Sequence, residues 1–273
     1  MSAPAGTRNM RVAAVQTVSS GDVSENLAAV ERLVAAAVER GAEMVVLPEY
    51  FGIFGKRATD KVDARERDGH GPQQDFLARV ARERSVWLVG GTIPIASDDP
   101  RRVRSASLVF DPQGRRVARY DKIHLFAFSQ GDERYDEAKT IEPGDAPVAF
   151  EAPCGRVGLS VCYDLRFPEL YRSYRDVALI VVPSAFTAVT GAAHWHILLK
   201  ARAIENQCYV LAAAQGGTHP NGRRTWGHSM LIDPWGVVKS VLAEGEGVVA
   251  GEIDLGYMQG VRESLPALKH RTM

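Results

Sequence analysis

Short, almost wholly apolar runs recur along the chain and read as strands buried on both faces: Arg11–Gln16, Met44–Leu47, Val86–Val89, Val157–Val161, Leu179–Val182 and Tyr209–Ala214. Between the first two, Leu27, Val30, Val34 and Val38 recur at spacings of three and four with Glu and Arg between them. That period predicts a helix with one apolar face, and Gly41 ends it as a cap. Phe51–Gly71 is polar and reads as a long loop. Pro72 then sits where helices start, with Phe76, Leu77 and Val80 as the buried face. Ala106–Phe110 and Val117–Tyr120 are predicted strands around the turn Asp111–Gly114. The second half runs in the same order: a short helix over Pro168–Tyr174, a longer one over His194–Asn206, and strands Ser229–Ile232 and Val237–Val241 around the turn Asp233–Gly236. Val248–Ile253 is a last strand.

Alternation of strands with helices implies parallel pairing and an α/β fold. Each half carries several strands but only two helices, too few to cover both faces of a sheet. Two mixed sheets stacked face to face with helices outside, a four-layer α-β-β-α sandwich, solve this economically; one doubly wound sheet is the alternative. Nothing in the composition marks a linker between the halves. The reading is therefore one domain over residues 1–273, its body from about 9 to 271.

Composition narrows the partners. Lys and Arg number 33 against 33 Asp and Glu, so there is no basic surplus for neutralising nucleic-acid phosphates. Hydrophobic residues make up 45% and charged residues 24%, the balance of a globular chain. Residues 1–10 lack the apolar run of a signal peptide, and stretches such as Ala178–Val182 are far too short to span a membrane. Cys154, Cys162 and Cys208 form no CxxC pair and are odd in number, which fits a reducing compartment. The expectation is a cytoplasmic protein with neither membrane nor nucleic-acid partners.

Three segments are rich in reactive side chains. Glu49 follows a buried apolar strand, Lys122 follows the last strand of the first half, and Cys162 ends the first strand of the second. In open α/β sheets ligands bind beyond the carboxyl ends of strands, so an acid, a cation and a thiol are candidates to converge there. A free thiol is mostly protonated at neutral pH and needs a base or cation beside it. Each residue alone has a plain alternative: an inert buried cysteine, a solvated loop charge.

Taken together, Leu47–Glu49, Lys122–Phe126 and Val161–Glu169 resemble the three signature blocks of the nitrilase superfamily of carbon–nitrogen hydrolases, in the right order over roughly Arg11 to Arg271. The resemblance implies the α-β-β-α sandwich and a cofactor-free Glu-Lys-Cys triad cleaving a small-molecule amide through a thioester. Glu49 is then the general base, Lys122 the oxyanion stabiliser and Cys162 the nucleophile. Glu137 matches a second glutamate that orients the lysine and helps hold substrate. Pro183–Phe186, Thr190–Trp195, Ala201–Tyr209, Gly227–Ser229 and Asp233–Gly236 resemble the Nit branch, which contains deaminated glutathione amidases and omega-amidases. Gln207–Gln215 looks closer to the former. His196 departs from the Glu that many branch members carry there. By resemblance alone, Tyr50, Tyr163, Phe186 and Thr190 line the substrate pocket, the Tyr163 backbone N–H helps hold the oxyanion, and the family's pairing of subunits implies a homodimer or a multiple of one. Other superfamily activities, such as N-carbamoyl-amide hydrolysis, and a non-catalytic binding protein on the same fold are the rival readings.

Arg166 lies at the rim of the same site and has two readings: an ion pair with a nearby Asp, or a fork gripping a substrate carboxylate. His194 and His196 lie two apart on a predicted helix and point to different faces, so no metal site is expected from them.

Overall fold

The computed structural model describes residues 6–130 and 133–272. Of residues 1–10, the stretch without a signal-like apolar run, 1–5 lie outside the described residues. In chain order the strands are β1 Met10–Gln16, β2 Met44–Val46, β3 Trp87–Val89, β4 Ile93–Ala96, β5 Val103–Phe110, β6 Arg116–Asp121, β7 Ala127–Gln130, β8 Glu133–Asp136 and β9 Ala149–Ala152. They continue as β10 Gly155–Leu159, β11 Val177–Ser184, β12 Tyr209–Ala214, β13 Gly216–Thr218, β14 Arg224–Trp226, β15 Ser229–Ile232, β16 Val238–Leu242 and β17 Gly247–Ile253. The helices are α1 Val23–Glu39, α2 Asp60–Asp63, α3 Pro72–Arg84, α4 Pro168–Ser173, α5 Ala188–Asn206 and α6 Leu255–Ser264.

Two mixed sheets form the body. A seven-stranded sheet runs β17-β1-β2-β3-β5-β4 with β6 on β5, and a six-stranded sheet runs β16-β15-β12-β11-β10-β9. Strands β1, β2 and β3 are parallel, as are β10, β11 and β12; the flanking strands are antiparallel. Side-chain alternation along β1 shows the layering. Val12 and Ala14 pack with residues of the second sheet, such as Leu179, Val181 and Leu211. Ala13 and Val15 pack with Val30 and Val34 of α1 and Leu77 and Val80 of α3. Each first-sheet strand is thus apolar on both faces because one meets a sheet and the other a helix, and the α-β-β-α order follows. The last strand departs from the two-halves reading: β17 leaves the second half and pairs antiparallel with β1 across its whole length, Met10 facing Ile253 and Gln16 facing Gly247.

Helix α1 starts at Asp22, whose side chain accepts the Glu25 N–H at 3.0 Å, and ends before Gly41, which takes the left-handed φ of +83°. Three expectations change. The long loop after Phe51 contains α2, pinned where Arg57 pairs with Asp60 at 2.7 Å and Asp63 at 3.1 Å. Helix α5 begins six residues before His194, capped by Thr187, because the small residues of its first turns carry no polar stripe to read. Strand β4, which contains Pro94, lies at the sheet edge, where a missing N–H is tolerated. No helix among the described residues is long and apolar enough to cross a membrane.

Candidate active site

The proposed triad comes from both sheets. Glu49 lies three residues beyond β2, Lys122 directly follows β6, and Cys162 opens a single 3-10 turn, Cys162–Arg166, beyond β10. The strand carrying the cysteine therefore ends earlier than its apolar run suggests. Cys162 has φ +49°, a left-handed conformation costly for a residue with a Cβ, and the turn holding it is over-determined. Asp164, fully buried, accepts from the Val161 N–H at 2.8 Å, the Tyr120 hydroxyl at 2.6 Å and the His124 N–H at 3.0 Å, and lies 2.7 Å from His124 Nδ1. Tyr120 and His124 bracket Lys122, so this one carboxylate ties the cysteine turn of the second sheet to the lysine turn of the first.

The Glu49 turn is held as tightly. Gly91, at φ +45°, lies so close to Pro48 that a Cβ there would come within 2.0 Å of the Pro48 carbonyl oxygen; only glycine fits. Thr92 accepts the Tyr50 N–H at 3.0 Å, and Gln215 donates to the Glu49 carbonyl at 3.0 Å. Tyr50 itself has φ +59°.

Lys122 is fully buried and donates to Glu49 Oε1 at 2.8 Å and Glu137 Oε2 at 2.7 Å. A buried ammonium needs such partners. Burial alone would lower its pKa, but Glu137 and Glu49 outweigh burial and hold it well above the ordinary lysine value. Burial also pushes both carboxyls up, and there they part. Glu137 collects the Lys122 ammonium, the Phe126 N–H at 2.7 Å and the Tyr50 hydroxyl at 2.8 Å, and ends below the usual carboxylate value. Glu49 is raised: burial and repulsion from Glu137 exceed the pull of Lys122. The Cys162 thiol hydrogen-bonds the Glu49 carboxylate and is itself pushed well up, by burial first and then by the Glu49 charge. The thiol thus sits beside a carboxyl that burial raises and that also meets the Lys122 ammonium.

Glu49, Tyr50, Glu137 and Cys162 line one cavity of about 400 Å³. The remaining expected substrate contacts sit elsewhere. Tyr163, Arg166, Phe186 and Thr190 line a recess of about 20 Å³ that adjoins the cavity and shares Phe126, Cys162, Ala185 and Thr187 with it. Arg166 forms no ion pair with an Asp among the described residues; its guanidinium lies over the rings of Tyr163 and Phe186 at 5.7 and 5.6 Å, with Nη1 3.3 Å from His194 Nδ1. Gln207–Ala214 is largely buried strand, and neither it nor Gln215 lines the cavity or the recess. His196 faces His228, ring centres 5.2 Å apart. Sequence reasoning missed Asp164, Gln215 and the basic residues of the large cavity. Asp164 had a signal, its place inside the cysteine block; Lys61 and Arg223 had none, because their loops meet only in three dimensions.

A family model described as carbon-nitrogen hydrolase matches residues 11–263. The chain belongs to that family and is an amidohydrolase. It is 40% identical over 268 residues to the deaminated glutathione amidase of Yersinia enterocolitica, covering 96% of this chain and 93% of that one. It is 36% identical to the omega-amidase NIT2 of Xenopus tropicalis, covering 96% and 94%. The crystal structure of the C. elegans NitFhit protein superposes with a TM-score of 0.90 at 37% identity, over 98% of this chain and 66% of that one.

Proposed function

We propose that this chain hydrolyses deaminated glutathione, with Cys162 as nucleophile, Glu49 as general base and acid, Lys122 as oxyanion stabiliser and Glu137 as the anchor of Lys122. The observation that carries the reading is the contact set around one ammonium: Glu49 at 2.8 Å, Glu137 at 2.7 Å, and the thiol on Glu49, opening on one cavity. Cys162 sulfur attacks the amide carbonyl carbon as its proton passes to Glu49. The oxyanion meets the Lys122 ammonium and the Tyr163 backbone N–H. Glu49 hands the proton to the departing nitrogen, the C–N bond breaks, and a thioester remains. Water then attacks the thioester while Glu49 takes its proton; the carboxylic acid leaves and the proton returns to sulfur.

Support for the substrate comes from the relatives' names and from a cavity of about 400 Å³, which has room for an amide longer than alpha-ketoglutaramate. Arg166, free of carboxylate partners among the described residues, is the clamp for the acyl-side carboxylate in this reading. Comparing kcat/KM for deaminated glutathione and alpha-ketoglutaramate on one preparation tests it. We expect the former to be preferred; equal values, or preference for the simple amide, make the protein an omega-amidase instead. Arg166→Ala should lose activity on both amides alike, since both yield the same acyl group.

The chain acts in this reading as one domain, in the cytoplasm, and as a homodimer or a multiple of one. Ile197 and Ile204 of α5 are 70% and 50% exposed, and Trp235, 55% exposed, precedes Gly236, which packs on Ile204. Such an apolar patch suits an interface. Leu170 of α4 is buried and Leu198 packs against the core, so neither adds to this patch. A light-scattering mass equal to one chain at micromolar concentration would exclude the dimer.

A further inference from the structure

The large cavity has more basic than acidic residues in its wall, where Glu49, Asp136 and Glu137 are the acidic ones. Lys56, Arg57, Lys61, Arg134 and Arg223 all line it. Arg57 is committed to Asp60 and Asp63. Lys61 and Arg223 are not committed: neither forms an ion pair among the described residues. Lys61 Nζ lies 3.4 Å from the Thr140 hydroxyl and 5.4 Å from the centre of the Tyr50 ring. The Arg223 guanidinium lies 4.6 Å from the centre of the Phe54 ring and 5.0 Å from that of Tyr135. Tyr50 and Phe54 meet edge to face at 6.0 Å, so one aromatic wall carries both cations. Burial, and then the Arg223 charge, push Lys61 below the ordinary lysine value, opposed by Glu137. Glu137 is already engaged with Lys122, Tyr50 and Phe126. Two partly desolvated cations side by side, short of a counter-ion, make a receptor for an anion.

The side of the scissile bond follows from the acid. Glu49, which must protonate the departing nitrogen, lines the large cavity and not the recess holding Arg166. The recess, at about 20 Å³, is too small for a dipeptide, so the leaving group departs into the large cavity. We propose that Lys61 and Arg223 form a subsite for the terminal carboxylate of a peptide-like leaving group, two residues long in the case of deaminated glutathione. This rests on the catalytic assignment above and adds the chemistry by which a long amide is told from a short one. Binding energy collected at this remote carboxylate is available to lower the barrier at the amide.

Protection of Cys162 from alkylation tests the subsite without turnover. Iodoacetamide labelling of the Cys162 peptide is followed by mass spectrometry with alanylglycine, alanylglycinamide or inorganic phosphate present, for the wild type, Lys61→Gln and Arg223→Gln, each checked for an unchanged circular dichroism spectrum. We expect alanylglycine to protect the wild type, its half-protecting concentration to rise at least tenfold in either variant, and the carboxamide to protect at least tenfold less well. Equal protection by dipeptide and carboxamide, no protection by either, indifference to both substitutions, or tighter protection by phosphate would each overturn the subsite. Deaminated glutathione turnover reads the substrate assignment separately. Carboxylate-dependent protection without turnover leaves the subsite standing and removes that substrate; turnover without such protection does the reverse.

Discussion

The turn carrying Glu49 and the 3-10 turn Glu137–Lys139 deliver carboxylates to the same ammonium, at 2.8 and 2.7 Å, yet one is pushed up and the other held down. Distance to Lys122 does not separate them. What differs is the rest of each environment: Glu137 also accepts from a backbone N–H and a tyrosine hydroxyl, while Glu49 has the cysteine thiol and the repulsion of its neighbour. Donors hold the Glu137 carboxyl below its usual range, and burial with like charge holds Glu49 above it, which suits the anchor and proton-carrier parts given to them in the proposed mechanism. A pair of titratable groups driven apart in this way divides into an acid–base and an electrostatic anchor.

Removing the nucleophile should have the largest effect. Cys162→Ala should lower kcat by about 10⁴-fold or more with the fold retained, whereas Cys154→Ala and Cys208→Ala should keep most activity; steady-state assays with circular dichroism check both. Glu49→Gln comes next, with a fall of about 10²–10⁴-fold, the range of general acid–base catalysis. Glu137→Gln should cost less, about 10–100-fold, corresponding to one charge-assisted hydrogen bond of about 1.5–3 kcal/mol. It should also move the pH profile. Glu49 must be ionised to accept the thiol proton, so kcat/KM falls as pH drops through its raised pKa. Removing the Glu137 charge relieves the repulsion that helps raise Glu49, and the acid limb should shift to lower pH. A shift upward would mean that the two carboxylates have been assigned the wrong way round. The smallest effect belongs to Asp164→Asn, which weakens the tie between the two turns: about 2 kcal/mol in urea denaturation, with a smaller fall in kcat than Glu137→Gln gives.

Much of the molecule was legible in the chain, for physical reasons that also mark where legibility ends. Strands buried on both faces, such as β11, have no competing pattern, and α1 and α3 carry a clear 3.6-residue period with capping signals. Glu49, Lys122, Glu137 and Cys162 sit in local blocks whose spacing survives folding. Strand β4 hid behind its proline, and α6 behind Gly256 and Gly260. Tyr163, Arg166, Phe186 and Thr190 do gather beside Cys162, but in the recess rather than the main cavity. The side chains that shape the main cavity come from segments far apart in sequence: Lys61 in α2 and Arg223 between β13 and β14. No periodicity or local motif encodes that meeting.

The account depends most on a covalent acyl group forming on one sulfur. Enzyme mixed with saturating amide, quenched by acid within milliseconds and weighed intact, should gain the mass of the substrate's acyl portion. Peptide mapping should place that gain on Cys162, and Cys162→Ala should show none. Product forming at full rate while the chain's mass never rises, or an acyl group found on Cys154 or Cys208, would contradict it.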